Sequence, residues 1–177
     1  MTSTKSFFYF AYGSNLLEKR IRIQNSSAIR KNIGQLKDYK LDFFGFSQRW
    51  GGASATIVPC VGHEVWGAIW EIDMENMADL DNQEGVAENI YFPKTIEVDL
   101  ADGGTLQCRV YQRAVDPALV NPGNVLTPDK PSLLYKETIL QGAVESNLPI
   151  AYLEKLKNIS HNGYHGQAQM GGILNIM

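Results

Sequence analysis

The segment Phe7-Phe8-Tyr9-Phe10-Ala11-Tyr12-Gly13-Ser14-Asn15-Leu16 runs from a compact aromatic block into glycine and two small polar residues. A short unbroken aromatic run reads as a buried strand, and Gly13 ends it in a turn. A helix is expected next. Asn15 with Glu18 three positions on has the form of a capping box, and Leu16, Leu17, Arg20 and Ile21 recur at helical spacing. Strand, turn and helix start in direct succession leave unpaired backbone N–H groups at the joint.

Outward from this joint the sequence alternates strands with Gly-rich turns. Leu36 to Phe46, Ala55 to Val58 and Glu64 to Ile72 read as strands, the last through its Trp and β-branched residues. Asp73 is expected to cap a short helix with Met74, Met77 and Leu80 as its apolar stripe and Gly85 as its stop. Strands return at Tyr91–Leu100 and Leu106–Gln112, joined by Asp102-Gly103-Gly104 as a hairpin turn. Asp116 to Pro131 carries Pro117, Pro122, Pro128 and Pro131 and reads as a loop. Helices near Ser132–Gln141 and Pro149–Asn158 complete the pattern. The fold class that follows is α+β (mixed α/β), with a small curled, mainly antiparallel sheet or barrel flanked by helices. Residues 1–165 read as a single domain and 166–177 as a flexible tail.

The chain has 177 residues, a formal net charge of −3 and a composition of 44% hydrophobic, 20% charged and 10% aromatic residues. That is the make-up of a soluble globular protein. No apolar run reaches the length of about 20 residues that a membrane span needs. No basic block favours nucleic acid as a partner. The Rossmann and Walker A patterns are missing, so no nucleotide cofactor is expected. Cys60 and Cys108 form no Cys-x-x-Cys pair and read as free thiols in a reducing, cytoplasmic setting. Asn25-Ser26-Ser27 and Asn158-Ile159-Ser160 match the glycosylation pattern and are taken as chance. His161 and His165 are four apart, but Gly163 and Gly166 argue against a helix there and no further ligand completes a metal set.

Two elements carry chemistry. The Tyr12-Gly13-Ser14-Asn15-Leu16 joint exposes N–H donors at a helix start, where a carboxylate or phosphate fits and glycine permits close approach. The same residues also read as an ordinary turn with an N-cap. Glu84, in Leu80-Asp81-Asn82-Gln83-Glu84-Gly85-Val86, falls on the stripe that faces the core, at the C-terminal end of its helix. Desolvation, the helix dipole and Asp81 would each raise its pKa, and a carboxyl near neutrality can take a proton and return it. Alternatively, a frayed last turn would leave it in water. Ser14 has no Gly-x-Ser-x-Gly context and no histidine partner for a nucleophile's role.

Phe10-Ala11-Tyr12-Gly13-Ser14-Asn15-Leu16, Glu64-Val65-Trp66-Gly67 and Leu80-Asp81-Asn82-Gln83-Glu84-Gly85-Val86 together resemble the animal γ-glutamylcyclotransferase family. The likeness continues through Cys108-Arg109-Val110-Tyr111, Tyr135-Lys136, Gly142-Ala143, Leu148-Pro149 and Glu154-Lys155-Leu156. It implies a small mixed barrel, a homodimer, and cofactor-free conversion of a γ-glutamyl-amino acid into 5-oxoproline and a free amino acid, within glutathione metabolism. By the resemblance, Tyr12, Gly13, Ser14, Asn15 and Leu16 bind the γ-glutamyl group, Glu84 is the general acid/base, and Tyr91, Tyr111 and Tyr135 border the pocket. The Asp116–Pro131 loop is longer than in the family, and the tail after Gly166 has no counterpart. Three other readings compete: a cyclotransferase for γ-glutamyl-ε-lysine, one acting directly on glutathione, and a non-catalytic interaction protein on the same fold.

Overall fold

The computed structural model describes residues 5–114 and 129–166. Five strands, β1 (Ser6–Ala11), β2 (Ile29–Ser47), β3 (Gly52–Asp73), β4 (Tyr91–Leu100) and β5 (Thr105–Arg113), close into a barrel in the order β1-β3-β2-β4-β5. Neighbours run antiparallel except β5 and β1, which close the barrel in parallel through Tyr9 and Arg109. The mixed α+β class and curled antiparallel sheet are as the sequence implied. Helices α1 (Glu18–Ile21), α2 (Met77–Gln83), α3 (Leu133–Glu145) and α4 (Ile150–Lys157) flank it, with 3-10 turns at Ser14–Leu16 and Met74–Asn76. No described helix is long and apolar enough to cross a membrane. The expectations for residues 116–128 and 167–177 lie outside the described residues.

Two of the expected strands are one. Ala55–Val58 and Glu64–Ile72 belong to the single strand β3, because the turn anticipated around Pro59–His63 is instead a bulge. Register jumps there, from Lys37 opposite Glu64 to Tyr39 opposite Pro59. Asp38 and Gly62 take positive φ on either side, and the Asp38 carboxylate accepts the Gly62 N–H at 2.9 Å. The excess residues are accommodated without ending the pairing, as bulges do in strongly coiled strands. Likewise β2 begins at Ile29, ahead of the expected Leu36, since its first turns pair with the same stretch of β3 that holds β1.

Both predicted helix caps are replaced. Asn15 does not cap: its side chain turns into the candidate site, and the Glu18 N–H is taken at 2.9 Å by Glu145 from α3. Glu145 also pairs with Arg30, whose guanidinium lies 4.4 Å from the Trp70 ring centre. Asp73 makes no side-chain cap; its N–H donates to Ser27 Oγ. Of the stripe Met74, Met77 and Leu80, only Leu80 is fully buried. Gly85, at φ +64°, ends the helix as expected, a conformation that suits glycine.

The core, on both faces of the barrel wall, includes the fully buried Phe10, Ile57, Val65, Ile69, Trp70, Ile72 and Val98. Helix α3, capped by Ser132 Oγ accepting from the Tyr135 N–H at 3.0 Å, covers one side with Leu134, Tyr135, Ile139 and Ala143. Gly142 brings this helix against the main chain of the Ser14–Leu16 turn. A Cβ there would stand 2.6 Å from the Leu16 carbonyl carbon. Helix propensity would favour alanine by about 1 kcal/mol, but overpacking against fixed backbone costs about 1–3 kcal/mol and has no flexible side chain to displace. Gly142→Ala is therefore expected to lower the urea midpoint with an unchanged m value, a net loss of up to about 2 kcal/mol.

Candidate active site

The end of β1, the 3-10 turn after it and the C-terminal end of α2 meet at one opening of the barrel. A small inner recess of about 40 Å³ is walled by Tyr9, Tyr12, Gly13, Ser14, Asn15, Ala55, Glu84, Tyr91, Tyr111 and Tyr135. It adjoins an outer cavity of about 660 Å³, and Ser14, Glu84, Tyr91 and Tyr135 border both. Of the residues singled out from the sequence, Tyr12, Gly13, Ser14, Asn15, Glu84, Tyr91, Tyr111 and Tyr135 are thus brought together. Leu16 is not on the lining; its side chain is fully buried in the core and its carbonyl accepts from Arg30. His161 lies on a separate concavity near Lys130, and no cluster of metal-ligating side chains exists among the described residues. Cys60 and Cys108 are unpaired thiols; burial pushes the Cys108 thiol up to about 12.

The turn is shaped by contacts on both sides. The Leu16 N–H closes on the Gly13 carbonyl at 3.0 Å, and the N–H groups of Ser14 and Asn15 take no acceptor among the described residues. A Cβ at Gly13 would stand 3.3 Å from the Tyr135 hydroxyl, so glycine lets the tyrosine close over the turn. The tyrosines are tethered by main chain: Tyr12 Oη donates to the Tyr111 carbonyl at 2.5 Å, Tyr91 Oη to the Ala55 carbonyl at 2.5 Å, and Tyr135 Oη accepts the Ala55 N–H at 3.2 Å. Burial raises all of their pKa values, that of Tyr91 to about 12, so they stay neutral at physiological pH.

A chain of amides holds Glu84. Asn25 Nδ2 donates to Gln83 Oε1 at 3.2 Å, Gln83 Nε2 to Asn15 Oδ1 at 3.0 Å, and Asn15 Nδ2 to Tyr9 Oη at 3.2 Å and Glu84 Oε1 at 3.4 Å. The Gln83 and Asn15 oxygens accept and all three amide nitrogens donate, which fixes the orientation of the series. Asn25 itself is fully buried, so its glycosylation-like tripeptide is a structural element of the fold. Beside the carboxyl, Asp81 accepts from Tyr111 Oη at 2.5 Å and from Arg109 at 2.7 Å.

Glu84 retains partial exposure toward the cavity, yet desolvation outweighs all other influences and raises its pKa to about 7. Arg20 and Arg49 pull it down, and Asp81 pushes it up. A carboxyl so tuned exchanges protons readily near neutral pH.

Residues 64–156 match the AIG2-like family. Over 167 residues the chain is 41% identical to the γ-glutamylcyclotransferase of Bos taurus and to that of Homo sapiens, covering 92% of this chain and 84% of each relative. The chain belongs to the γ-glutamylcyclotransferase family. It is an enzyme, and a solved γ-glutamyl cyclotransferase structure superposes with a TM-score of 0.85 at 37% identity, over 98% of this chain and all of that one.

In this family member, sequence reasoning missed the arginines. Arg20 falls at helical spacing with Leu16, Leu17 and Ile21, and a guanidinium grouped with apolar residues is itself the signal, since such a group is costly to bury without an acceptor. Arg49, Ser54 and Arg113 reach the outer cavity from the β2–β3 connection, from β3 and from the end of β5, a proximity only tertiary pairing creates.

The raised Glu84 pKa sets a pH dependence. Between the ordinary carboxyl value and about 7 the folded chain holds a proton that the unfolded chain has released, so this contribution to stability is present at low pH and lost as pH rises through about 7. Glu84→Gln, which removes the buried charge, is expected to melt several degrees above the parent at pH 8. The difference should shrink toward pH 5, as followed by thermal denaturation across pH.

Proposed function

We propose that the enzyme converts γ-glutamyl-α-amino acid dipeptides into 5-oxoproline and the free amino acid, with Glu84 as general acid/base. The substrate's α-ammonium first gives a proton to the Glu84 carboxylate. Its nitrogen then attacks the γ-carbonyl carbon and closes a five-membered ring. The bond to the departing amide nitrogen breaks as Glu84 returns the proton to that nitrogen. The ring nitrogen then gives up its second proton through Glu84 to the released amine, so the products are the neutral lactam and an ammonium and the carboxylate is restored. The nucleophile belongs to the substrate, and no protein Ser or Cys is required.

The observation that carries this reading is the Glu84 carboxyl with its pKa near 7, bordering both the recess and the outer cavity. A single group beside both nitrogens serves both transfers. The free N–H groups of Ser14 and Asn15 suit the substrate's α-carboxylate or the carbonyl oxygen as charge develops on it. Tyr12, Tyr91, Tyr111 and Tyr135, neutral and tethered, give the recess a fixed polar shape. Gly13 and Leu16 contribute main chain and packing. The reading takes residues 1–165 as one domain and includes a homodimer; a monomer by light scattering at micromolar concentration would remove the latter.

Release of 5-oxoproline from γ-glutamyl-alanine tests the activity, and none released would overturn it. With Glu84→Gln, kcat is expected to fall about 10²–10⁴-fold with little change in KM. In the parent, kcat/KM should rise with pH up to a plateau above about 7, because the reaction begins with Glu84 unprotonated. A variant as fast as the parent would rule out Glu84 as the proton carrier.

A further inference from the structure

Charge is distributed unequally between the two parts of the site. The inner recess is bordered by tyrosines, Asn15 and Glu84 and by no cation among the described residues. The outer cavity carries Arg20, Arg49 and Arg113, with Glu84 and the exposed Glu88 as its acids. Arg113 is engaged: it donates to Ser54 Oγ at 2.5 Å and stacks 5.4 Å from the Phe44 and Tyr91 ring centres. Arg49 is exposed at the mouth.

Arg20 is different. It is only 5% exposed, its cation lies 5.8 Å from the Trp50 ring centre, and it has no side-chain hydrogen bond among the described residues, with Nε buried and without an acceptor. It is not Glu84's ion-pair partner, since no hydrogen bond joins them and desolvation still prevails at the carboxyl. A planar guanidinium with its donors unfilled, seated on an indole and facing a cavity, matches a carboxylate from the ligand.

We propose that Arg20, with Arg49 beside it, binds the carboxylate of the departing amino acid in the outer cavity, so that the enzyme selects γ-glutamyl-α-amino acids over γ-glutamyl amines. This rests on the cyclotransferase reading, which places the γ-glutamyl moiety in the cation-free recess and leaves the departing residue outside it. Phe46 and Ile90, exposed at the cavity, offer apolar surface to the departing side chain.

Binding and turnover of γ-glutamyl-alanine and γ-glutamyl-ethylamine, which differ only by that carboxylate, test the proposal. In the Glu84→Gln background, where substrate is held unreacted, calorimetry should show the alanine compound binding roughly tenfold to a hundredfold tighter. Adding Arg49→Gln, a surface change that leaves the fold intact, or Arg20→Lys, which keeps the charge and loses the fork, should weaken the alanine compound several-fold and leave the ethylamine compound unchanged. Equal binding of the two compounds, or equal weakening of both by the arginine variants, would overturn the assignment. Turnover in the parent separates the failures. Equal kcat/KM for both compounds sinks the carboxylate seat alone, whereas 5-oxoproline from neither sinks the cyclotransferase reading and the seat with it.

Discussion

Helix α3 lies on the main chain of the Ser14–Leu16 turn with nothing but a glycine hydrogen between them at Gly142. Most of what surrounds the site follows from that close approach. It carries Tyr135 over Gly13, where the tyrosine hydroxyl meets the Ala55 N–H of β3. It also delivers Glu145 to the Glu18 N–H and to Arg30, which in turn holds the Leu16 carbonyl. Turn, barrel wall and helix are thereby tied together, and the N–H groups of Ser14 and Asn15, residues that line the recess, take no acceptor among the described residues.

The electrostatics are layered on this frame. Tyrosines buried around the recess are kept neutral by desolvation, and the same desolvation raises Glu84 against the pull of two arginines. Asp81, in the last turn of α2, is held by Arg109 and Tyr111, so it and Glu84 just past the helix end meet different surroundings. One carboxyl sits in an ion pair with Arg109, while desolvation raises the pKa of the other.

Much of this could be read from the residues. The aromatic block before Gly13 is β1, and the stop at Gly85 and the hairpin at Gly103-Gly104 occur where their conformational demands put them. The inward position of Glu84 followed from its spacing to Leu80. What escaped depended on partners distant in sequence. Pro59 and Gly62 look like a chain break until Asp38, from another strand, supplies the acceptor that keeps β3 continuous. Asn15 looks like a cap because local pattern cannot reveal that Gln83 and Glu84 will claim its amide. Arg20 reads only as one position of a helical spacing, since nothing nearby in sequence signals that Trp50 will lie beneath it. Membership of the family could be recognised from the motifs alone, whereas the arrangement of charge in the outer cavity could not.

The amide series Asn25–Gln83–Asn15 has a consequence for how the site responds to its own chemistry. Amides do not ionise over the range in which Glu84 gains and loses a proton. A support built from histidines or further acids would change charge in step with the group it carries and would draw it to a new position at each change of charge. Here the seat stays electrically constant while its occupant alternates, because the Asn15 nitrogen can donate to a carboxylate or to the carbonyl oxygen of the neutral acid. A change of charge at Glu84 therefore calls for no change of charge in its support.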